Sequence, residues 1–204
     1  MSPLLTLALY TIGWCTLHSL LICPPATRLF RAKLGPAYRF HRLAYNLVAV
    51  VTLLLLMFYE RQVGGATLFS WAGTWRLPWA FLLAAALGLF LAGGRHYDLL
   101  QFLGVRQAMR ATARRGVTAS GELDTQGILG LMRHPWYLGA LLVIWLRDLN
   151  RSAIVVNALF SLYLVVGSIL EERKLVAEFG DEYRRYQRRV PMLLPRPRRW
   201  RQRS

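Results

Sequence analysis

Acidic residues are scarce in this chain, and cysteine is scarcer still. Ten Asp and Glu stand against 26 Lys and Arg in 204 residues, giving a net charge of +16. The two cysteines, Cys15 and Cys23, form neither a CxxC nor a zinc-ligand spacing, which argues against a disulfide framework and against a metal site. No internal repeat or low-complexity linker divides the sequence. A single domain over residues 1–195 is therefore expected, followed by a basic flexible tail over 196–204. The opening Met1-Ser2-Pro3 lacks a basic n-region, and no small-residue cleavage site follows it. The apolar segment behind it thus reads as a retained span rather than a secretory signal.

Apolar residues are abundant, at 55% of the chain with mean hydropathy +0.31. Residues 3–23, 43–59 and 77–93 are long enough, or nearly so, to cross a bilayer as helices. Residues 136–170 are apolar except for Arg147-Asp148-Leu149-Asn150-Arg151, and read as a helical hairpin. Its first arm, 136–146, is short for a span and is expected to be extended or tilted. The fold class is therefore all-α: a polytopic membrane protein of about five transmembrane helices with a cytoplasmic C-terminal amphipathic helix.

Charge tests this map independently of hydropathy, because short cytoplasmic loops collect Lys and Arg. Segments 24–42, 95–134 and 171–204 hold 22 of the 26 basic residues, whereas 60–78 and 147–151 hold two each. An N-terminus outside and a cytoplasmic C-terminus follow. The asymmetry also accounts for the basicity without nucleic acid, since a basic rim beside spans meets anionic headgroups and makes membrane lipids the expected partners.

The connecting segments differ in character. Pro24-Pro25 ends the first span, and the Leu-Phe-Arg-Ala-Lys-Leu stretch after it is expected to lie amphipathically at the surface. Trp71, Trp75 and Trp79 read as interfacial anchors of the first outer loop. Segment 95–134 opens with Arg95-His96-Tyr97-Asp98, continues through Gly104-Val105-Arg106-Gln107 and carries Arg114-Arg115 before Gly116. It is too long for a simple turn and is expected to be a partly helical lid over the inner face. The last span is expected to leave the membrane at Glu171 and run on as one amphipathic helix to about Arg189. Phe179, Tyr183 and Tyr186 share one face of it, Arg184, Arg185, Arg188 and Arg189 reach water, and Pro191, Pro195 and Pro197 end regular helix.

Two clusters carry the chemistry. Pro135 suits only the first turn of a helix, so His134 is the boundary residue of the fourth span and Arg133 stands beside its N-terminal amides. An anionic group such as an amino-acid carboxylate is stabilised at such a pole. Tyr137 follows on the first turn, and Gly139 admits a close neighbour. At the other end of the hairpin, Glu171-Glu172 sits at the wrong pole of a helix, with Arg173 and Lys174 as local counter-charges. The hairpin brings both clusters to one membrane face. A zwitterionic ligand with a further positive centre fits between them.

Arg133-His134-Pro135-x-Tyr137-x-Gly139, about thirty residues of hairpin, then Glu171, Glu172, Leu175, Phe179, Gly180, Tyr183, Tyr186, Val190, Pro191 and Pro195 resembles the isoprenylcysteine carboxyl methyltransferase and phospholipid methyltransferase superfamily. The N-terminal half, with His18-Ser19-Leu20-Leu21, Tyr97-Asp98 and Gly104 to Gln107, looks more like its bacterial methanethiol S-methyltransferase and NnrU-like branches. The resemblance implies S-adenosyl-L-methionine as cofactor, held within 121–195. His134, Pro135, Trp136 and Tyr137 would line the pocket and residues 126–129, including Gln126, Gly127 and Leu129, its approach. Arg133, Gly139, Glu172, Tyr183 and Tyr186 would complete it, with Glu171 near the reacting groups. Where prenylcysteine enzymes carry a histidine, a tyrosine and a substrate-contacting arginine, this chain has Gly121, Leu129 and Gly167, which argues against a prenylcysteine acceptor. Methyl transfer from a sulfonium is an in-line displacement and needs no enzyme nucleophile. A small thiol or a lipophilic acceptor is expected, with Glu171 first and His134 second as proton acceptor. His18, His41, His96 and Asp98 are second-rank candidates. The alternatives are a non-enzymatic NnrU-like or nurim-like membrane protein, and a sterol-reductase-like enzyme using NADPH.

Overall fold

A computed structural model describes residues 1–96, 99–110 and 123–194. Tyr97, Asp98, Arg114, Arg115, Gly116, Gly121, Pro195, Pro197 and the tail 196–204 lie outside the described residues. The elements are α1 (Pro3–Ile22), α2 (Pro24–Leu34), a 3-10 turn (Gly35–Phe40), α3 (His41–Val63), a second 3-10 turn (Gly73–Trp75) and α4 (Arg76–Gly94). Then come α5 (Leu99–Leu103), α6 (Val105–Arg110), a third 3-10 turn (Gly127–Gly130), α7 (Pro135–Trp145), α8 (Arg151–Phe179) and α9 (Asp181–Arg189). Local chemistry sets several of these ends. Ser2 Oγ caps α1 by accepting from Leu5 N–H, and Asn150 Oδ1 caps α8 by accepting from Ala153 N–H. Pro24 and Pro25 stop α1 and then occupy the first turn of α2, where their missing N–H is no loss.

Among the described residues four helical stretches, those containing α1, α3, α4 and α8, are long and apolar enough to cross a membrane. Their outward faces suit hydrocarbon: Leu54, Leu55 and Phe81 are 61%, 62% and 73% exposed. The fifth apolar helix, α7, has 11 residues and at 1.5 Å per residue covers about 16 Å, roughly half the hydrocarbon thickness. It is neither extended nor made to span by tilt. Residues 146–150 follow it without regular helix, which at membrane depth is tolerable only where the backbone is satisfied by protein. Trp71 Nε1 donates to Trp145 O at 3.1 Å, and Trp79 Nε1 donates to Leu146 O at 2.9 Å. Trp71 from the connection before α4 and Trp79 from the first turn of α4 thus cap the carbonyl end of α7.

At that end the two cation-poor connections meet. Phe69 and Leu149 form an antiparallel bridge, Asp148 Oδ1 accepts from Ser70 Oγ and Trp71 N–H, and Arg147 pairs with the buried Glu60. At the opposite end α5 and α6 pack on α3: Arg42 Nε and Asn46 Nδ2 donate to Phe102 O, and Asn46 also to Leu103 O. Gly104 (φ +88°) makes that approach possible, since a Cβ there would lie 2.7 Å from Leu43 N.

Helix α7 lies flat on α4 because glycines remove the intervening side chains. The Trp136 indole covers Gly93 and donates to Phe90 O at 3.1 Å, while the Phe90 ring covers Gly139. On α8, Gly167 faces the Tyr137 ring. Leu7, Leu56 and Val156 join α1, α3 and α8 in one apolar cluster. The C-terminal segment departs from expectation. α8 runs on past Glu171 as expected, but it ends at Phe179, and Gly180 (φ +57°) breaks it from α9, so the segment to Arg189 is two helices and not one. Glu171 and Glu172 therefore stand two turns inside a helix, and the unfavourable-pole argument does not apply to them. The expected faces do hold: Tyr183 and Tyr186 are buried with Phe179 packed on them, and the four arginines are exposed.

Candidate active site

The site is assembled where α7 begins, α8 passes and the chain after α9 folds back. His134 is the N-cap residue of α7, with φ −127° and ψ 66°, followed by Pro135 at the first helical position. Its backbone N–H donates to Met192 O and that of Arg133 to Pro191 O, both at 3.0 Å, so the C-terminal segment pairs with the residues that enter α7.

Glu172 is the hub of the cluster. Its Oε1 accepts from Arg133 Nε at 2.6 Å and contacts His134 Nε2 at 3.2 Å, and its Oε2 accepts from Gln187 Nε2 at 2.8 Å. Arg133 Nη1 also donates to Gln187 O, at 3.0 Å, and to Val190 O. The guanidinium is thus engaged through Nε by Glu172 and through Nη1 by carbonyls of the α9 region. Arg173 and Lys174 make no ion pair with either glutamate among the described residues; Arg133 supplies the counter-charge from another helix.

Glu171 has the opposite situation. Its Oε2 lies 3.8 Å from His134 Nδ1, its side chain is 29% exposed, and it accepts no hydrogen bond among the described residues. The His134 imidazole, 3% exposed, therefore lies between an engaged carboxylate on Nε2 and an unengaged one near Nδ1. With Arg133 offsetting Glu172, Glu171 leaves the cluster one negative charge in excess when His134 is neutral. Tyr137 stacks edge-on against His134 at 5.3 Å between ring centroids.

The remaining sequence candidates fall into groups. Tyr186 donates to Leu129 O at 2.6 Å, which ties α9 to the Gly127–Gly130 turn through backbone, so Leu129 acts by its carbonyl. Tyr183 and Tyr186 stack edge-on, and burial pushes both phenols well above their ordinary range. Trp136 and Gly139 face α4, away from the carboxylates. Gln126 and Gly127 are exposed on the turn, where a Cβ on Gly127 would lie 2.8 Å from His96 Nε2. His96 Nδ1 pairs with Asp124 Oδ2 at 2.6 Å. Burial raises the Asp124 carboxyl, but the Gln126 N–H and His96 outweigh it and hold it below the usual range. His18 lies away from the cluster, bonded to Tyr45 and stacked on Trp14; His41 stacks on Tyr38.

Gln187, Asp124 and the carbonyls of Val190, Pro191 and Met192 were not foreseen. Gln187 stands one helical turn after Tyr183, a spacing that could have placed it on the site-facing side. A backbone carbonyl leaves no sequence signal.

The chain is similar to proteins of known name. It is 34% identical over 200 residues to methanethiol S-methyltransferase 2 of Bradyrhizobium diazoefficiens, covering 95% of this chain and 72% of the relative. Methanethiol S-methyltransferase of Pseudomonas deceptionensis is 36% identical over 143 residues, 69% of this chain and 49% of its own. That of Mycobacterium tuberculosis is 32% identical over 169 residues, 78% of this chain and 65% of its own. No family model matches the chain. No solved structure matches it.

Proposed function

The chain belongs to the family of the methanethiol S-methyltransferases, and from that premise we propose that it is an inner-membrane enzyme transferring the methyl group of S-adenosylmethionine to a small thiol. The observation that supports this most is the buried His134 held between one engaged and one unengaged carboxylate. The same residues fit the cofactor: Glu171 is an unspent acceptor in a cluster with excess negative charge, suited to a ligand bearing an ammonium and a sulfonium. Glu171, His134 and Tyr137 would hold it, with the turn at Gln126 and Gly127 as its approach. Arg133 and Glu172 position His134, and Tyr183 and Tyr186 support the turn through α9.

When bound, the cofactor supplies an electrophilic methyl on a cationic sulfur. The chain's own residues prepare the acceptor, because a thiol reacts as its thiolate. Glu172 accepts the Nε2 proton of His134 and so selects the tautomer whose Nδ1 lone pair faces Glu171. Nδ1 takes the thiol proton, and the Glu171 carboxylate 3.8 Å away stabilises the imidazolium that results. The thiolate would then accept the methyl group in line as the bond from that methyl to the sulfonium sulfur breaks, so that acceptor and donor would both leave as neutral thioethers. The basic-residue count supports placing this site in the cytoplasm, with the N-terminus outside.

Labelled-methyl transfer in membranes carrying the protein, with methanethiol, prenylcysteine and phospholipid compared, tests the reading. Thiol methylation is expected and prenylcysteine methylation is not. His134→Ala should lower turnover on the order of 100-fold. Wild-type turnover in that variant removes the site assignment. A folded protein that binds no S-adenosylmethionine by calorimetry removes the enzyme and favours the non-enzymatic NnrU-like alternative.

A further inference from the structure

A second site lies in the N-terminal half and shares no lining residue with α7, α8 or α9. A cavity of about 530 Å³ opens between the end of α1, α2, the Gly35–Phe40 turn, the start of α3, and α6. That volume is in the ordinary range for a small-molecule site. Its charge is of one sign. Arg31, Arg39 and Arg42 line it, and none of them has a carboxylate partner among the described residues. The reason is visible in the sequence, where no Asp or Glu occurs before Glu60 although five Lys and Arg do. All three arginines lie over aromatic rings, Arg31 on Tyr38 at 5.0 Å, Arg39 on Phe40 at 4.6 Å and Arg42 on Phe102 at 5.6 Å, and Arg42 is also bound to Phe102 O. Stacking and anchoring hold the guanidinium groups while leaving N–H donors for an anion.

Gln107 gives the second, independent indication. It lines the same cavity, is 8% exposed, and donates Nε2 to Gln101 O at 3.0 Å. That bond fixes the amide orientation, because a carbonyl can face only the NH₂ side. Oε1 is left buried without a hydrogen-bond partner among the described residues. Such an acceptor is costly unless a donor meets it. The arginines call for an anion, and an occupant that also carries a hydroxyl would bring a donor to the side of the cavity that Gln107 lines.

We propose that this cavity binds a phosphate ester bearing a free hydroxyl, the chemistry of a phosphoglycerol group. A lipid headgroup and a soluble glycerol phosphate share it. The neighbouring α2 presents Leu29 and Leu34 exposed beside Arg28, Arg31 and Lys33, as a helix lying in the membrane surface does, and this makes the lipid the expected source.

Native mass spectrometry and fluorescence titration of the full chain in neutral detergent test the site. Phosphatidylglycerol should bind at least roughly tenfold more tightly than phosphatidylcholine, and Arg31→Gln and Arg39→Gln should each weaken it about fivefold, the effect of one basic residue at an anionic surface. Wild-type protein should prefer phosphatidylglycerol to phosphatidylmethanol, which lacks the hydroxyls, and Gln107→Leu should erase that preference. If Gln107→Leu does not fold, the wild-type comparison of those two lipids decides alone. Competition by glycerol phosphate at similar concentration assigns the site to the soluble ester; no competition assigns it to the lipid. Equal binding of phosphatidylglycerol and phosphatidylcholine, an unchanged affinity in the folded arginine variants, or displacement by S-adenosylmethionine overturns the proposal.

Discussion

Replacing Glu172 by Gln keeps the shape of the hub and removes its charge. The native carboxylate, 12% exposed, takes Arg133 Nε at 2.6 Å, Gln187 Nε2 at 2.8 Å and His134 Nε2 at 3.2 Å. A carboxamide oxygen can serve one side of this arrangement, but its NH₂ then faces donors on the other. The Arg133 guanidinium would stay buried without a counter-ion. Removing one partner of a buried ion pair costs about 3–5 kcal/mol. Arg133 keeps its bonds to Gln187 O and Val190 O, so a loss of about 2–4 kcal/mol is expected. At roughly 2–4 °C per kcal/mol for a chain of this size, melting in detergent should fall by about 5–15 °C. Glu171→Gln is the control. That side chain is 29% exposed and accepts no hydrogen bond among the described residues, so melting should change by less than about 2 °C while turnover falls about 10- to 100-fold. Tryptophan fluorescence melts alongside labelled-methyl transfer read both effects. Equal melting of the two variants, or a larger loss in Glu171→Gln, would refute the assignment of Glu172 as the engaged carboxylate and Glu171 as the open one.

Other perturbations separate backbone support from packing and charge. Tyr186→Phe removes the 2.6 Å bond to Leu129 O and leaves that carbonyl unsatisfied; thermal melting should report a loss of about 1 kcal/mol. Gly93→Ala drives a Cβ to 2.5 Å from the Trp136 ring and should cost about 1–3 kcal/mol, whereas Gly88→Ala meets nothing within 4 Å and should melt like wild type. Because the folded Asp124 carboxyl is held below its unfolded value near 3.9, its contribution is complete above that pH and is lost as pH falls through the folded value. Denaturant titrations below about pH 4 should therefore show a smaller acid-side loss in Asp124→Asn than in wild type.

Particular residues show how far sequence reading reached. The spans were legible because hydropathy and cation placement are properties of segments, and both survive any packing. Helix α7 was legible as an apolar arm but not as half a span, because its carbonyl end is capped by Trp71 and by Trp79 of α4, some seventy residues earlier in the chain. Glu171 and Glu172 were legible as a pair. Which one is engaged depends on the rotation of α8 against α7, and adjacent residues on a helix point about 100° apart. Arg133 read as an anion site because its local sequence offered no partner, while its actual partners, Glu172, Gln187 and Val190, come from later in the chain. The cavity at Arg31 and Arg39 was legible only as a basic loop; the orphaned Gln107 acceptor that makes it a candidate site comes from α6.

By itself the sequence determined that this is an all-α membrane protein with alternating cation-rich and cation-poor connections, and that an Arg-His-Pro-x-Tyr element and a Glu-Glu element face one another across a hairpin. Those features depend on composition, period and spacing, which are local. Only the tertiary structure decided which carboxylate holds the imidazole, which cation is engaged and which glycines admit an aromatic ring. Each of those outcomes is a meeting of groups distant in sequence, and its energy exists only once the helices are packed.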